Sequence, residues 1–245
     1  MTTRNHIAHQ TQHRFAPLAV VLLMGLVASN ARAATTGNLL SDPSFEANPL
    51  ISYFDILLPP FTSGAWGAES ATITGSANGI SPADGSLMLS MTNDGLIATQ
   101  AWQTIDVSAY STPINAGLVT VDASALYNVP ADIATGLSSL NIQFLNALHI
   151  AIGAGANVGS PVLDSNVSTW EQLSITGAFV PSGTQFIRAQ VAYNNASLMG
   201  AGAIRPGYVD DAHLTLTIVP EPATLIPLSI AVVGGLLFHK RRRSR

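Results

Sequence analysis

The feature that most constrains this chain is a two-residue alternation that recurs along its middle. Ala101, Gln103, Ile105 and Val107 share one side of an extended run, with Trp102, Thr104 and Asp106 on the other. Val119, Val121, Ala123, Ala125 and Tyr127 form a second run, and Leu140, Ile142 and Phe144 alternate with Asn141 and Gln143. Ile187, Ala189, Val191 and Tyr193 alternate with Arg188 and Gln190. Near the end Tyr208, Ala212, Leu214, Leu216 and Ile218 are read as facing one way, with Val209, Asp211, His213, Thr215 and Thr217 facing the other. Side chains of a strand alternate between the two faces of a sheet, so each run is a strand with one buried face. Turn clusters bound the runs: Ser81-Pro82-Ala83-Asp84-Gly85, Asn93-Asp94-Gly95 and Pro181-Ser182-Gly183. Short alternating strands separated by such turns predict an all-β sandwich. No internal repeat is visible, and Ala147 to Val158 reads as a strand followed by a Gly/Ala loop.

Charge and cysteine content exclude several function classes. The chain has no cysteine, which removes disulfides, thiolate metal sites and a cysteine nucleophile. Only 10% of its residues are charged. Between Ala34 and Val219 two cations, Arg188 and Arg205, face thirteen carboxylates, a formal charge of −11. A body with that field repels nucleic acid and anionic lipid. No lysine precedes Lys240, so the body holds no amine nucleophile. There is no nucleophile elbow, zincin helix or phosphate-cradling glycine loop. Thirteen carboxylates allow a hydrolytic pair on paper, without geometry to support one. His149 and His213 fit no metal-ligand spacing, and His213 falls on the polar face of the last strand.

Both ends read as processing signals. Met1 to Arg14 is polar, Phe15 to Ala28 is apolar, and Ala31-Arg32-Ala33 is a small-x-small cleavage site. That order predicts a secretory signal peptide over residues 1–33, cut between Ala33 and Ala34 by a signal peptidase. At the other end Val219-Pro220-Glu221-Pro222 precedes an apolar stretch, Ala223 to Phe238, and then Lys240, Arg241, Arg242, Arg243 and Arg245. Sixteen helical residues reach about 24 Å, a marginal membrane span. The cationic tail would stay cytoplasmic by the positive-inside rule. These three parts, in this order, resemble the PEP-CTERM sorting signal of Gram-negative bacteria. The resemblance implies an exosortase that cleaves near Pro220, Glu221 and Pro222, a short transmembrane helix, and export through a transient inner-membrane stage to the envelope, cell surface or exterior. It also implies a link with exopolysaccharide and biofilm. The expected domains are 1–33, 34–219 and 220–245.

A second resemblance lies in the body. Asn38-Leu39-Leu40-Ser41-Asp42-Pro43-Ser44-Phe45-Glu46 is similar to the opening of galactose-binding-like carbohydrate-binding modules. Trp170-Glu171-Gln172-Leu173 and Pro181-Ser182-Gly183-Thr184 resemble their middle landmarks, and Tyr208-Val209-Asp210-Asp211-Ala212-His213-Leu214 their closing strand. The resemblance implies a jelly roll whose first and last strands are neighbours. It places Glu46 beside Asp210, which the alternation puts on the apolar side of its strand. The two carboxylates then either share a structural calcium ion or accept hydrogen bonds from loop amides. Trp66, Trp102, Trp170 and Tyr53 are the aromatics able to stack on a sugar ring. Trp66, in a Gly-rich turn, is expected to be exposed, and Trp170 to be core. Asn166-Val167-Ser168 and Asn195-Ala196-Ser197 fit the glycosylation pattern.

The expected function is that of an exported, non-catalytic β-sandwich that binds extracellular polysaccharide through Trp66 and Trp102, with no nucleic-acid partner. Two alternatives stay open: a surface glycan hydrolase and a purely structural or adhesive matrix protein.

Overall fold

A computed structural model describes residues 32–47, 50–53, 59–62, 64–92, 99–131, 137–160, 163–194 and 206–220. The strands are β1 (Ala34–Thr35), β2 (Ile51–Tyr53), β3 (Gly67–Glu69), β4 (Ala71–Thr74), β5 (Met88–Met91), β6 (Thr99–Asp106), β7 (Val119–Asn128), β8 (Leu137–Leu145), β9 (Ala156–Ser160), β10 (Glu171–Phe179), β11 (Phe186–Asn194) and β12 (Gly207–Ile218). They form two six-stranded sheets within the unit Ala33–Val219. One, the β7 sheet, runs β10-β7-β12-β5-β4, with β1 paired to β12. The other, the β11 sheet, runs β2-β3-β6-β11-β8-β9. The β2–β3 pair is parallel and the other pairs are antiparallel.

The alternation read from the sequence decides what lies between the sheets. Val121, Ala123, Ala125 and Tyr127 of β7 pack with Leu140, Ile142 and Phe144 of β8 and with Ile187, Ala189 and Val191 of β11. Burying a side chain of this size stabilises the fold by about 1.5–3 kcal/mol. The Tyr127 hydroxyl, deep in this layer, donates to the Ser139 carbonyl at 2.8 Å, and burial pushes its pKa up.

One irregularity re-phases the closing strand. Between Asp210 and His213 the pairing with β7 slips, and Asp211 sits at φ +46. This bulge reverses the face of every residue before it. Val209 therefore joins Ala212, Leu214 and Leu216 in the main core. Tyr208, which the alternation grouped with Leu214, instead packs on the outer side of the sheet with Ile80 and Met88. Asp210 is buried there too, fully covered, and not on the face that packs against the β11 sheet.

Asn38 repairs the backbone at the bulge. Its side chain donates to the Ala212 carbonyl at 2.9 Å and accepts from the Leu214 amide at 3.0 Å and the Leu40 amide at 3.2 Å. The Pro43 carbonyl takes the Ala212 amide at 3.0 Å. The opening segment thus lies along the closing strand. Gln103 performs the same office on the other sheet, holding the Ser41 amide and carbonyl at 2.8 and 2.9 Å.

Two expectations are corrected here. Ala147 to Val158 is a loop followed by a strand, because β9 begins at Ala156 and pairs with β8. The expected transmembrane helix, with the inner-membrane stage built on it, is set aside: among the described residues no helix is long and apolar enough to cross a membrane. The helix Ser111–Asn115 has five residues. Glu221, Pro222 and the stretch 223–245 lie outside the described residues, as do residues 1–31 of the expected signal peptide.

Candidate functional site

Three surfaces place polar side chains together. The first is the covered part of the β7 sheet's outer face. Ile80, Met88 and Tyr208 form a small apolar cluster there, with Ala77, Val167 and Trp170 against it. The loop between β4 and β5 closes over it, and two carboxylates hold that loop down. Asp210 Oδ2 accepts the Ala83 amide at 2.7 Å and the Asp84 amide at 3.1 Å, while its Oδ1 accepts the Asp211 amide at 2.8 Å. Glu46 Oε1 accepts the Ser86 and Leu87 amides at 2.7 and 2.6 Å. Gly85, at φ +65, allows this close approach, since a Cβ there would lie 2.5 Å from Glu46 Oε1. Burial pushes the Asp210 carboxyl up to about 6, although the three amides pull it down. The structure thus brings the predicted pair Glu46 and Asp210 to one loop, each occupied by amides. Among the described residues no three His, Cys, Asp or Glu side chains gather as metal ligands.

The second surface is a depression of about 170 Å³ further along the same outer face. Asp122, Ser124, Ser174, Thr176, His213 and Thr215 line it. Two bulges shape its rim. Gly177, at φ +63 in β10, donates its amide to Asp122 Oδ1 at 2.7 Å. Asp211, in the β12 bulge, meets His213 Nε2 at 2.8 Å. The hydrolase alternative requires paired carboxylates in a cleft walled by large aromatics, and no Trp, Tyr or Phe is among these lining residues.

The third surface is the outer face of the β11 sheet, where a belt of amide side chains crosses five strands. On β6, Gln100 Nε2 donates to Glu69 Oε2 of β3 at 2.8 Å. Gln190 Nε2 of β11 donates to Gln100 Oε1. Gln190 is in register with Asn141 of β8, whose Oδ1 accepts from Asn157 Nδ2 of β9. Beside the belt, Arg188 Nη1 donates to Gln143 Oε1 at 3.0 Å. Gln100, Asn141 and Gln190 are half-buried, and Gln143 and Asn157 are exposed. Each amide offers a donor and an acceptor. Side chains on neighbouring strands repeat at roughly 4.8 Å. The belt is therefore a fixed row of amides, held at its β3 end by the Glu69 carboxylate and able to meet a run of hydroxyl groups.

Aromatics flank this belt in a way that corrects the predicted sugar platforms. Trp66 and Trp102 are 1% and 0% exposed, so neither offers a ring face to a ligand. The Trp66 indole donates to the Asp42 carbonyl at 3.0 Å and packs on Phe45. The Trp102 indole donates to the Pro60 carbonyl at 2.9 Å and lies against Tyr53. A Gly-rich turn gave Trp66 a local reason to be exposed, and tertiary packing overrode it. Trp170 moves the other way. Expected in the core, it is half-buried at the edge of the small cluster, with its indole on the Ser81 carbonyl at 3.1 Å. On the far side of Arg188, Phe61 stacks on His149 at 3.8 Å and both meet Phe186 edge-on.

No protein-family model matches the sequence, and no curated protein matches it. The sorting-signal resemblance thus has no family model behind it, and the exosortase partner is set aside with the membrane helix. The chain is similar to several solved structures at low identity. A carbohydrate-binding module, TmCBM61, in complex with β-1,4-galactotriose is 13% identical, with a TM-score of 0.47 over 73% of this chain and 98% of its own. The CBM22-1 xylan-binding domain from Paenibacillus barcinonensis is 14% identical, with a TM-score of 0.40 over 76% of this chain and 99% of its own. A family 22 carbohydrate-binding module from Clostridium thermocellum is 16% identical, with a TM-score of 0.41 over 64% of this chain and 87% of its own.

Proposed function

We propose that this chain is a non-catalytic polysaccharide-binding β-sandwich and that the amide belt of the β11 sheet is its binding face. The belt itself carries the reading. Glu69, Gln100, Gln190, Asn141 and Asn157 are linked or in register across five strands, and the rigid sheet holds them in place. A pre-ordered row of amides loses little entropy when it meets hydroxyls, which is how a sugar site gains affinity and orientation. The sequence resemblance to galactose-binding-like modules supports the same reading. The ligand chemistry is that of a polyhydroxylated chain lying across the strands.

Affinity electrophoresis against a panel of soluble polysaccharides tests it. The native protein should be retarded by at least one member. The Gln190→Ala, Asn141→Ala double variant should lose at least tenfold in affinity while keeping the native melting temperature within a few degrees. Retardation by no polysaccharide, or a folded double variant that binds as well as the parent, overturns the proposal.

A further inference from the structure

Arg188 stands out against the charge of its surroundings. The body holds thirteen carboxylates and two arginines, and Arg188 is the arginine within the described sheets. Its side chain points to the outer face of β11, between Phe186 and Gln190, and only 9% of the residue is exposed. An arginine stays ionised in a protein, so this is a buried positive charge. Such charges are ordinarily paired with a carboxylate, which offsets the loss of their hydration. Here the partner is neutral: Nη1 bonds the Gln143 amide oxygen at 3.0 Å. The Nε–H, buried as well, has no hydrogen-bond partner. Directly across the strand pair, Thr104 also carries a buried hydroxyl without a partner, and so does Thr62, whose carbonyl accepts the Thr104 amide. The described outer-face carboxylates of this sheet have other partners: Glu69 has Gln100, and Asp106 the Ser108 amide at 2.8 Å. Among the described residues Arg188 is thus a cation with no carboxylate partner beside the amide belt, with unmet polar groups around it.

We infer that this face selects anionic glycans, with Arg188 taking the carboxylate of a uronic acid residue while the amide belt takes the hydroxyls. The inference rests on the proposed binding face and narrows its ligand. A planar carboxylate matches the guanidinium fork and neutralises the charge in a partly dry setting where such bonds are strong. The surrounding negative field does not prevent this. At physiological salt, charges more than about 8 Å apart are largely screened, whereas a contact pair is not.

Polygalacturonate and its fully methyl-esterified form separate the carboxylate from the rest of the polymer, because the two share a backbone. The native protein should bind the free acid at least tenfold more tightly than the ester, with a preference that shrinks as salt rises. Arg188→Gln should bring the ratio to within about twofold of one. Gln143→Glu, at an exposed position, should do the same by giving Arg188 a carboxylate within the protein, and it keeps the test alive if Arg188→Gln does not fold. Equal binding of the acid and the ester by the native protein overturns this inference and leaves the belt as a neutral-sugar site. A preference that survives in folded Arg188→Gln overturns it as well. Failure to bind any polysaccharide overturns the belt and this inference together.

Discussion

The two outer faces of the sandwich are built from the same strand alternation and end with opposite characters. On the open part of the β7 sheet's outer face the residues are mainly short hydroxyls and acids, and two bulges set them around a shallow depression lined by Asp122 and His213, with Asp211 bonded to His213 at its rim. On the β11 sheet they are long amides and an arginine, laid in register on strands without a bulge between β6, β11 and β8. The difference teaches that regular pairing is what turns scattered polar residues into an array. A bulge re-aims one side chain and breaks the row. An unbroken ladder repeats the spacing from strand to strand, as an extended ligand requires.

The largest expected effect comes from the covered part of the belt's own face, where Trp102 is in register with Gln190. Trp102 is fully buried under Tyr53 and the Pro60 carbonyl. Trp102→Ala should cost about 3–5 kcal/mol of stability. His213→Ala, at a half-exposed site on the opposite face, should change stability by less than about 0.5 kcal/mol. Denaturant melts of the two variants check this contrast, and equal effects would break the comparison.

A middle-sized effect tests the covered corner of the β7 sheet through pH. Burial raises the Asp210 pKa in the fold to about 6, above its ordinary value of 3.8. The folded chain then holds a proton that the unfolded chain has released. Asp210's contribution to stability is therefore full below about pH 4 and declines as pH rises toward about 6. Melting temperatures across that window should fall less steeply in Asp210→Asn than in the parent. A parent profile no steeper than the variant's would mean that the three amides dominate over burial.

The smallest effect sharpens the account of Glu46 and Asp210. Between them they accept five amides, four of them from the β4–β5 loop. Calcium or a chelator should move the melting temperature by less than about 1 °C. A rise of several degrees with calcium would instead place an ion between these carboxylates.

Much of the fold was legible because alternation is a local signal. β6, β7, β8 and β11 lie where Ile105, Val121, Ile142 and Ile187 with their period-two neighbours put them. The β12 register was misread because a bulge leaves no mark in residue type, since any residue can supply the extra position. Asp211 supplies it, adopting a backbone conformation that aspartate tolerates better than most residues. Trp66 and Trp102 were singled out for their chemistry, yet an indole's burial depends on segments distant in sequence. Asn141, Gln143, Arg188 and Gln190 were all visible as the polar partners of apolar runs. What stayed hidden was that β11 lies between β6 and β8 and gathers them on one surface.

The sequence by itself determined the strands β6, β7, β8, β11 and β12, the apolar face of most of them, that the body is acidic, and that cysteine and lysine chemistry are absent from it. Those properties follow from side-chain period and composition, which need no partner strand. Only the tertiary structure decided the strand order, the inversion at Asp211, the burial of both predicted tryptophan platforms, and the meeting of five amides and a lone guanidinium on one face. Each of these depends on contacts between residues far apart in the chain, and a one-dimensional pattern carries no distance between them.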